Sequence, residues 1–158
     1  MLIDRDNLQG VVRGIKETRK SIVFTNGCFD VLHVGHVRLL EEASKLGDVL
    51  IVGINSDSSV RIIKGETRPF FPDEERAVII DSLKGVDYVV VFPETTASNL
   101  IKEIQPDFYV KGGDYSLQEL PECKALEETG ASFHLVALQE GHSTTNIAKK
   151  IGRQNEGR

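Results

Sequence analysis

The chain has 158 residues, of which 40% are hydrophobic, and this is enough for one domain with a full hydrophobic core. Its net charge is −5 and it has no basic tract, which argues against nucleic acid as the main partner because phosphate backbones need clustered Lys and Arg. The sequence has no apolar run of the roughly 20 residues that cross a membrane, no signal-peptide pattern and only two cysteines, so we expect a cytoplasmic protein.

The hydrophobic pattern predicts strands and helices that alternate along the chain. Apolar residues recur at helical spacing over 7–19, which predicts an amphipathic helix within an N-terminal helical segment, 1–20. Short apolar runs bounded by turn residues predict five strands, over 21–25, 49–54, 88–92, 108–110 and 132–138. Helical patterns occupy 37–46, 73–83, 97–104, 120–129 and 144–151.

Strands separated by helices are typical of repeated βαβ units, which build a parallel sheet. The run 49–54 is apolar on both faces, as a sheet covered by helices on both sides requires. We therefore predict an α/β fold, a Rossmann-like five-stranded parallel sheet flanked by helices. It forms a single domain over 21–151, followed by a polar tail over 152–158. Ligands of such sheets bind beyond the carboxyl ends of the strands.

Two histidines three residues apart, His33 and His36, lie where the first of these strands runs into a helix. A helix N-terminus presents unpaired N–H groups and a partial positive charge, so it binds phosphate, and two imidazoles beside it can donate to the same anion. Gly27 lets the backbone turn sharply, and Gly35 lets a ligand approach closely. One core histidine and one cap histidine are the structural alternative, but both glycines together favour a nucleotide site for chemistry at the α-phosphate.

These residues resemble the HxGH signature of a nucleotidyltransferase superfamily, in its cytidylyltransferase-like branch. The resemblance covers 21–151, through Asn55-Ser56-Asp57, Lys64-Gly65, Arg76, Lys111-Gly112-Gly113-Asp114-Tyr115 and Ser143-Thr144-Thr145-Asn146-Ile147. The last two segments resemble the adenylyltransferases of ADP-heptose synthesis. That resemblance implies transfer of AMP from ATP to a sugar 1-phosphate, D-glycero-β-D-manno-heptose 1-phosphate, with release of pyrophosphate.

The resemblance also implies a role for each matching residue. The catalytic residues would be His33, His36, Lys64 and Arg76, with the histidines stabilising the transition state. Asp57, Lys64 and Arg76 would bind the sugar phosphate. The nucleotide-binding residues would be Asn26, Gly27, Cys28, Phe29, His33, Gly35, His36, Lys111, Gly112, Gly113, Asp114, Ser143, Thr144 and Thr145. We expect Mg²⁺ as the cofactor, held by the nucleotide phosphates and water rather than by protein ligands.

Several of these residues have an ordinary structural explanation as well. The hydroxyls of 143–145 begin the last predicted helix, where one Ser or Thr is a common N-cap. Lys64 and Arg76 belong to residue types that are usually solvated, and Asp57 could form an Asx turn. Cys28 is expected to pack or contact the ligand rather than to act as a nucleophile, because no covalent intermediate is required.

Two alternative functions stay open at this point. Glycerol-3-phosphate cytidylyltransferases carry Arg-Thr-Glu-Gly before Ser-Thr-Thr, whereas this chain has Leu138-Gln139-Glu140 and lacks the arginine, which favours the heptose branch. A nucleotide-sensing module without turnover is the alternative of another class, although binding alone does not need donors aimed at a transition state. The expected partners are ATP and a sugar 1-phosphate, without nucleic acid or membrane, and a homodimer is left open.

Overall fold

The computed structural model describes residues 1–137 and 144–155. Its centre is a six-stranded sheet in which every pair of neighbouring strands is parallel. In chain order the strands are β1 (Leu2–Ile3), β2 (Ile22–Gly27), β3 (Val49–Asn55), β4 (Tyr88–Phe92), β5 (Phe108–Gly112) and β6 (Ser132–Val136). Their order across the sheet is β1-β4-β3-β2-β5-β6. The predicted Rossmann-like α/β class is confirmed.

Helices connect the strands, as parallel pairing requires. The described residues form α1 (Leu8–Glu17), α2 (Val34–Ser44), α3 (Asp57–Lys64), α4 (Asp73–Asp81), α5 (Ser98–Ile104), α6 (Cys123–Thr129) and α7 (Thr144–Asn155). Two short 3₁₀ helices precede α1 and α6, over Arg5–Asn7 and Leu117–Glu119. Within this described part of the chain, none of the helices is both long and apolar enough to cross a membrane.

Two elements of the fold are additions to the predicted ones. All five predicted strands are present, and β1 adds a sixth, which pairs with β4 at the edge of the sheet. The helix α3 lies where the sequence pattern predicted no helix. It forms because the Ser56 hydroxyl accepts a hydrogen bond from the Ser59 N–H at 3.3 Å and Val60 is buried. Lys64 is therefore the last residue of a helix. The last helix runs to Asn155, and Leu138 of the predicted fifth strand lies outside the described residues.

Each face of the sheet has its own hydrophobic cluster. Side chains from α1, α5 and α6 pack on one face, and side chains from α2 and α4 pack on the other. All residues of β3 are buried, which agrees with the apolar pattern of that run. Leu8, Val12 and Ile15 of α1 belong to the first cluster, so the N-terminal helix shares the core of the sheet.

The topology creates a crevice at the carboxyl end of the sheet, between two neighbouring strands. The neighbouring strands β2 and β5 are followed by α2 and α6, which pack on opposite faces. A parallel sheet leaves an opening beyond the carboxyl ends of two such strands, and this is where ligands of doubly wound folds bind. The residues after β2 and β5 are therefore the first place to look for a site.

Candidate active site

A pocket of about 550 Å³ lies at the carboxyl ends of β2, β3 and β5. This volume is in the range of ordinary small-molecule sites. Segments far apart in sequence form its wall. This is expected where the connections that follow β2 and β5 leave on opposite faces of the sheet. The wall includes these residues that the sequence had singled out: Asn26, Gly27, Cys28, Phe29, His33, Gly35, His36, Lys64, Lys111, Gly112 and Thr145.

Other candidate residues are not part of the described wall. Arg76, which is fully buried, does not line the pocket, and neither do Asp57, Gly113 and Asp114. Ser143 is outside the described residues, and so is the side chain of Thr144.

The wall also contains residues that the sequence analysis missed or gave no firm role. These are Asp30, Leu39, Asn55, Ile63, Arg68, Thr95, Tyr115, Glu119, Leu120, Pro121 and Glu122. Thr95 follows β4, so the rule that ligands bind beyond strand ends could have found it. The segment Glu119–Glu122 has no comparable signal, because it precedes a helix without a recognisable motif.

The first turn of α2 fixes the orientation of both histidines. His33 is the N-cap residue, and its Nδ1 accepts a hydrogen bond from the Gly35 N–H at 3.1 Å. The His36 Nδ1 accepts from the His33 N–H at 3.4 Å, and the two rings stack with centroids 3.8 Å apart. An imidazole whose Nδ1 accepts carries its proton on Nε2 when neutral. When neutral, both pocket histidines therefore carry their donor hydrogen on Nε2.

The surroundings of His36 keep its imidazole neutral. Burial, and to a lesser extent the nearby His33, lower the pKa of His36 to about 4. The Phe29 ring packs edge-on against the His36 ring with centroids 5.2 Å apart and contributes to that burial. At neutral pH His36 is thus an uncharged hydrogen-bond donor rather than a proton reservoir.

The chain turns at Phe29 rather than at Gly27. Phe29 has a φ of 47°, in the left-handed region that bulky residues rarely adopt, and it is held there by a ring that is 5% exposed. Gly27 stays in β2, where an added Cβ would come within 3.1 Å of the Phe29 ring. The sequence suggested that Gly27 makes a sharp turn, but its lack of a side chain instead leaves room for Phe29.

The Arg76 guanidinium is fully buried and connects the segments that form the pocket floor. Its Nη1 donates to the carbonyl oxygens of Cys28 and Asn55, at 2.5 and 2.8 Å. Nη2 donates to Asp57 Oδ1 at 2.8 Å, and Nε donates to the Phe71 carbonyl at 2.9 Å. The sequence analysis expected Arg76 to contact the reactants. In the structure its guanidinium nitrogens all donate to oxygens of the protein. Arg76 positions the ends of β2 and β3.

Asp57 also makes its contacts with the protein. Its Oδ1 accepts from the Asp73 N–H at 2.9 Å, and Asp73 Oδ2 accepts from the Asp57 N–H at the same distance. This reciprocal pair joins the first residues of α3 and α4, and the ion pair with Arg76 adds to it. The structural alternative for Asp57, a turn or cap contact, describes these bonds better than the expected contact with a sugar phosphate.

A buried carboxylate, that of Asp30, holds the segment between α3 and α4 against the pocket. It accepts from the N–H groups of Phe70 and Phe71 at 2.7 and 3.1 Å and from Arg68 Nε at 2.5 Å. The Arg68 guanidinium also lies over the Phe70 ring, 4.6 Å from its centroid. Arg68 is thereby fixed in the pocket wall, where Lys64 adds a second positive charge.

The segment after β5 presents an aromatic ring to the pocket. Gly113 has a φ of 134°, and an added Cβ there would come within 2.6 Å of the Tyr115 ring. The lack of a side chain at Gly113 therefore leaves room for the Tyr115 ring.

Cys28 also lines the pocket. Burial raises the pKa of its thiol, while the positive charge of Lys64 opposes the shift. A protonated thiol is a poor nucleophile, in line with the expected packing role.

Comparisons with known proteins show what this chain is similar to. The model of the Cytidylyltransferase-like family matches residues 24–151. A protein of Geobacter sulfurreducens named Bifunctional protein HldE is 50% identical over 146 residues, which are 92% of this chain and 30% of that protein. A protein of the same name from Wolinella succinogenes is 47% identical over 150 residues, 95% of this chain and 31% of that protein. The chain thus spans less than a third of the length of these curated relatives.

A solved structure is similar over most of its length. It is the crystal structure of the lipopolysaccharide core biosynthesis protein from Thermoplasma volcanium GSS1, which is 28% identical with a TM-score of 0.62. The match covers 78% of this chain and 99% of that chain.

The low pKa of His36 can be tested directly. We expect the His36 ring signals in an NMR titration to shift with a midpoint near pH 4, because burial disfavours the charged imidazole. Between about pH 6.5 and 4 the unfolded chain would bind a proton at this residue that the folded chain does not, so stability should fall as the pH is lowered through this range. His36→Gln should lose less stability over the same range. A midpoint near 6.5 would contradict this account.

Replacing Arg76 by lysine should destabilise the fold. Lysine keeps the positive charge but cannot serve acceptors on several segments at once, so carbonyl oxygens of Cys28, Asn55 and Phe71 would lose donors. We expect Arg76→Lys to lower the free energy of unfolding by about 2–4 kcal/mol in urea denaturation. The exposed Arg61→Lys on α3 is the matched control and should change it by less than about 0.5 kcal/mol. Equal stability of both variants would refute the role of Arg76.

Proposed function

This chain belongs to the cytidylyltransferase-like family, and we propose that it is an adenylyltransferase that transfers AMP from ATP to a sugar 1-phosphate and releases pyrophosphate. The observation that carries the proposal is the stacked pair His33 and His36, whose Nδ1 atoms both accept backbone N–H groups, at a helix N-terminus in a pocket beyond the strand ends. We propose D-glycero-β-D-manno-heptose 1-phosphate as the acceptor, so that ADP-heptose is the product.

The chemistry follows from what these donors can stabilise. An oxygen of the acceptor phosphate attacks the α-phosphorus of ATP, a new P–O bond forms, and the bond to the pyrophosphate oxygen breaks. Negative charge grows on the non-bridging oxygens and on the leaving pyrophosphate, and fixed donors such as the Nε2–H groups of His33 and His36 lower that barrier. No general base is required, since a sugar phosphate is already an anion at neutral pH, with a second pKa near 6.

The cationic and hydroxyl groups around the histidines would position the two reactants. Lys64 and Arg68 line the same pocket and would offset the repulsion between two phosphorylated substrates. Thr145 lies in the first turn of α7 and also lines the pocket, so the N-terminus of that helix is proposed to bind the β- and γ-phosphates, together with Ser143 and Thr144.

The nucleoside would lie along two backbone segments. One runs from Asn26 to Gly35 and the other from Lys111 to Gly113, and both contribute to the pocket wall. Asp114 follows the second segment and is proposed to contact the base or the ribose. Because Arg76 and Asp57 are engaged with each other and with backbone groups, we assign them to positioning these segments rather than to contact with the reactants.

Mg²⁺ is the proposed cofactor. Among the described residues there is no group of three or more His, Cys, Asp or Glu side chains that could hold a metal ion. The Asp30 carboxylate in the pocket wall is already bonded to Arg68 and to backbone N–H groups. A metal held mainly by the nucleotide phosphates and by water fits these residues. When bound, it supplies neutralising charge to the phosphates.

The choice of acceptor has support from the comparisons. The alternative with CTP and glycerol 3-phosphate is less favoured, because the chain lacks the arginine that precedes Ser-Thr-Thr in that branch. The related solved structure is that of a lipopolysaccharide core biosynthesis protein.

We also propose a cytoplasmic location, because both Cys28 and Cys123 are free thiols. A homodimer is proposed as well, and light scattering would test it. A sensor without turnover is the competing class, and pyrophosphate release separates it from an enzyme.

Removing the His36 side chain should slow the reaction while the fold survives. We expect His36→Ala to lower kcat by ~100-fold or more, because it removes a donor that acts mainly in the transition state. The exposed Glu41→Ala on the same helix is the control and should keep parental kcat. Circular dichroism of both variants should match the parent. Near-normal turnover in a folded His36→Ala protein would reject the assignment.

The substrates can be separated by a matrix of donors and acceptors. We expect kcat/KM to be highest for ATP with the heptose 1-phosphate, and glycerol 3-phosphate to lose up to ~10⁴-fold because pocket groups made for sugar hydroxyls would be left unpaired. The discrimination between ATP and CTP should be smaller if backbone atoms mainly recognise the base. Higher kcat/KM for CTP with glycerol 3-phosphate would overturn the heptose assignment and leave nucleotidyl transfer intact.

A further inference from the structure

A buried carboxylate in the pocket wall has no assigned function. Glu122 is 3% exposed and immediately precedes α6, and its Oε1 accepts from the Ala97 N–H at 3.1 Å. Its Oε2 is buried and has no hydrogen-bond partner among the described residues. A buried acceptor without a donor costs about 1–3 kcal/mol, and more when it is charged. A residue of the pocket wall therefore carries a buried acceptor that the described protein groups leave unsatisfied.

Glu122 differs from the other buried polar atoms without partners. Within the described part of the chain, these are Arg5 Nη1 and Glu94 Oε2, and their side chains are joined to each other by an ion pair. Neither of those two side chains lines the pocket, whereas Glu122 does. For Glu122 no ion pair is found among the described residues, so its charge is not neutralised in that way.

A cation stands near Glu122 without pairing with it. Lys111 at the end of β5 lines the same pocket, and its ammonium makes no hydrogen bond or ion pair with the described residues. Burial lowers the pKa of Lys111, and the negative charge of Glu122 opposes that shift. The two charged groups therefore interact electrostatically. The pocket wall thus has a carboxylate that lacks one hydrogen-bond partner, that of Glu122, and an ammonium donor, that of Lys111.

We propose that Glu122 is a specificity residue that accepts a hydrogen bond from a sugar hydroxyl of a substrate, with Lys111 donating to an oxygen of the same substrate. This inference rests on the proposed function only for the identity of the substrate. A hydroxyl group is both donor and acceptor, so neighbouring hydroxyls of one sugar satisfy a carboxylate and an ammonium together. Two sources have this chemistry, the acceptor sugar and the ribose of the nucleotide.

The binding test compares ligands with and without a sugar. Glu122→Gln keeps an oxygen for the Ala97 N–H but replaces the second acceptor by an NH₂ donor. Affinity would be measured calorimetrically for the heptose 1-phosphate against inorganic phosphate, and for a non-hydrolysable ATP analogue against inorganic triphosphate. We expect a ~10–100-fold loss for one of the two sugar-containing ligands and less than a twofold loss for the matching phosphate. The ligand that loses affinity identifies the source of the hydroxyl.

Two further measurements separate recognition from stability. Because the Oε2 atom has no partner, Glu122→Gln should keep or raise the melting temperature. The exposed Glu127→Gln on α6 is the matched control and should bind every ligand as the parent does. If Glu122→Gln does not fold, Glu122→Asp keeps the charge but moves it, and it should show the same ligand selectivity with a smaller loss.

The result that overturns the proposal is a folded variant that binds all four ligands as the parent does, or that loses affinity for the phosphates as much as for the sugars. Failure of the proposed function would look different, since the parent protein would then release no pyrophosphate from ATP with any sugar 1-phosphate. The binding comparison stays decisive in that case, because it requires no turnover.

Discussion

The guanidinium of Arg76 holds the active end of the sheet together. It donates to the carbonyl oxygens of Cys28 and Asn55, which follow or end two neighbouring strands, and to the carboxylate of Asp57. Strand ends in a parallel sheet carry carbonyl groups that the ladder no longer satisfies, and a buried cation with several donors in a fixed plane can serve them together. The position of the HxGH segment depends on this arrangement, because Cys28 leads directly into it. Arg76 thereby positions two backbone segments that form the pocket wall.

The two histidines gain their orientation from the backbone of the helix that they begin. Each Nδ1 accepts a main-chain N–H, which leaves Nε2 as the donor, and stacking restricts both rings further. The burial that lowers the pKa of His36 also keeps it uncharged, so the donor is present over the whole physiological pH range. Fixed neutral donors suit a reaction in which charge moves from an attacking phosphate to a leaving pyrophosphate without an obligatory proton transfer.

The sequence was informative where function and local pattern coincide. The apolar run of β3 predicted a buried parallel strand, and the spacing of His33 and His36 beside two glycines predicted the helix N-terminus that they cap. It was not informative where several distant segments meet. Arg76 looked like a solvated or ligand-binding cation, since only the folded chain brings the acceptors of three segments around it. Glu122 has no motif, because its importance comes from a missing partner, and β1 is too short for any periodicity.

Direct attack by the acceptor phosphate on the α-phosphorus is the central claim, and oxygen labelling tests it most directly. The heptose 1-phosphate would be prepared with ¹⁸O in its phosphate, and the products with ATP would be separated and their isotope content measured by mass spectrometry. The account predicts that all of the label is found in the ADP-sugar, including the oxygen that bridges the two phosphorus atoms. It also predicts that one unlabelled pyrophosphate is released for each ADP-sugar formed. Label in pyrophosphate, or formation of ADP and orthophosphate in place of these products, would contradict it.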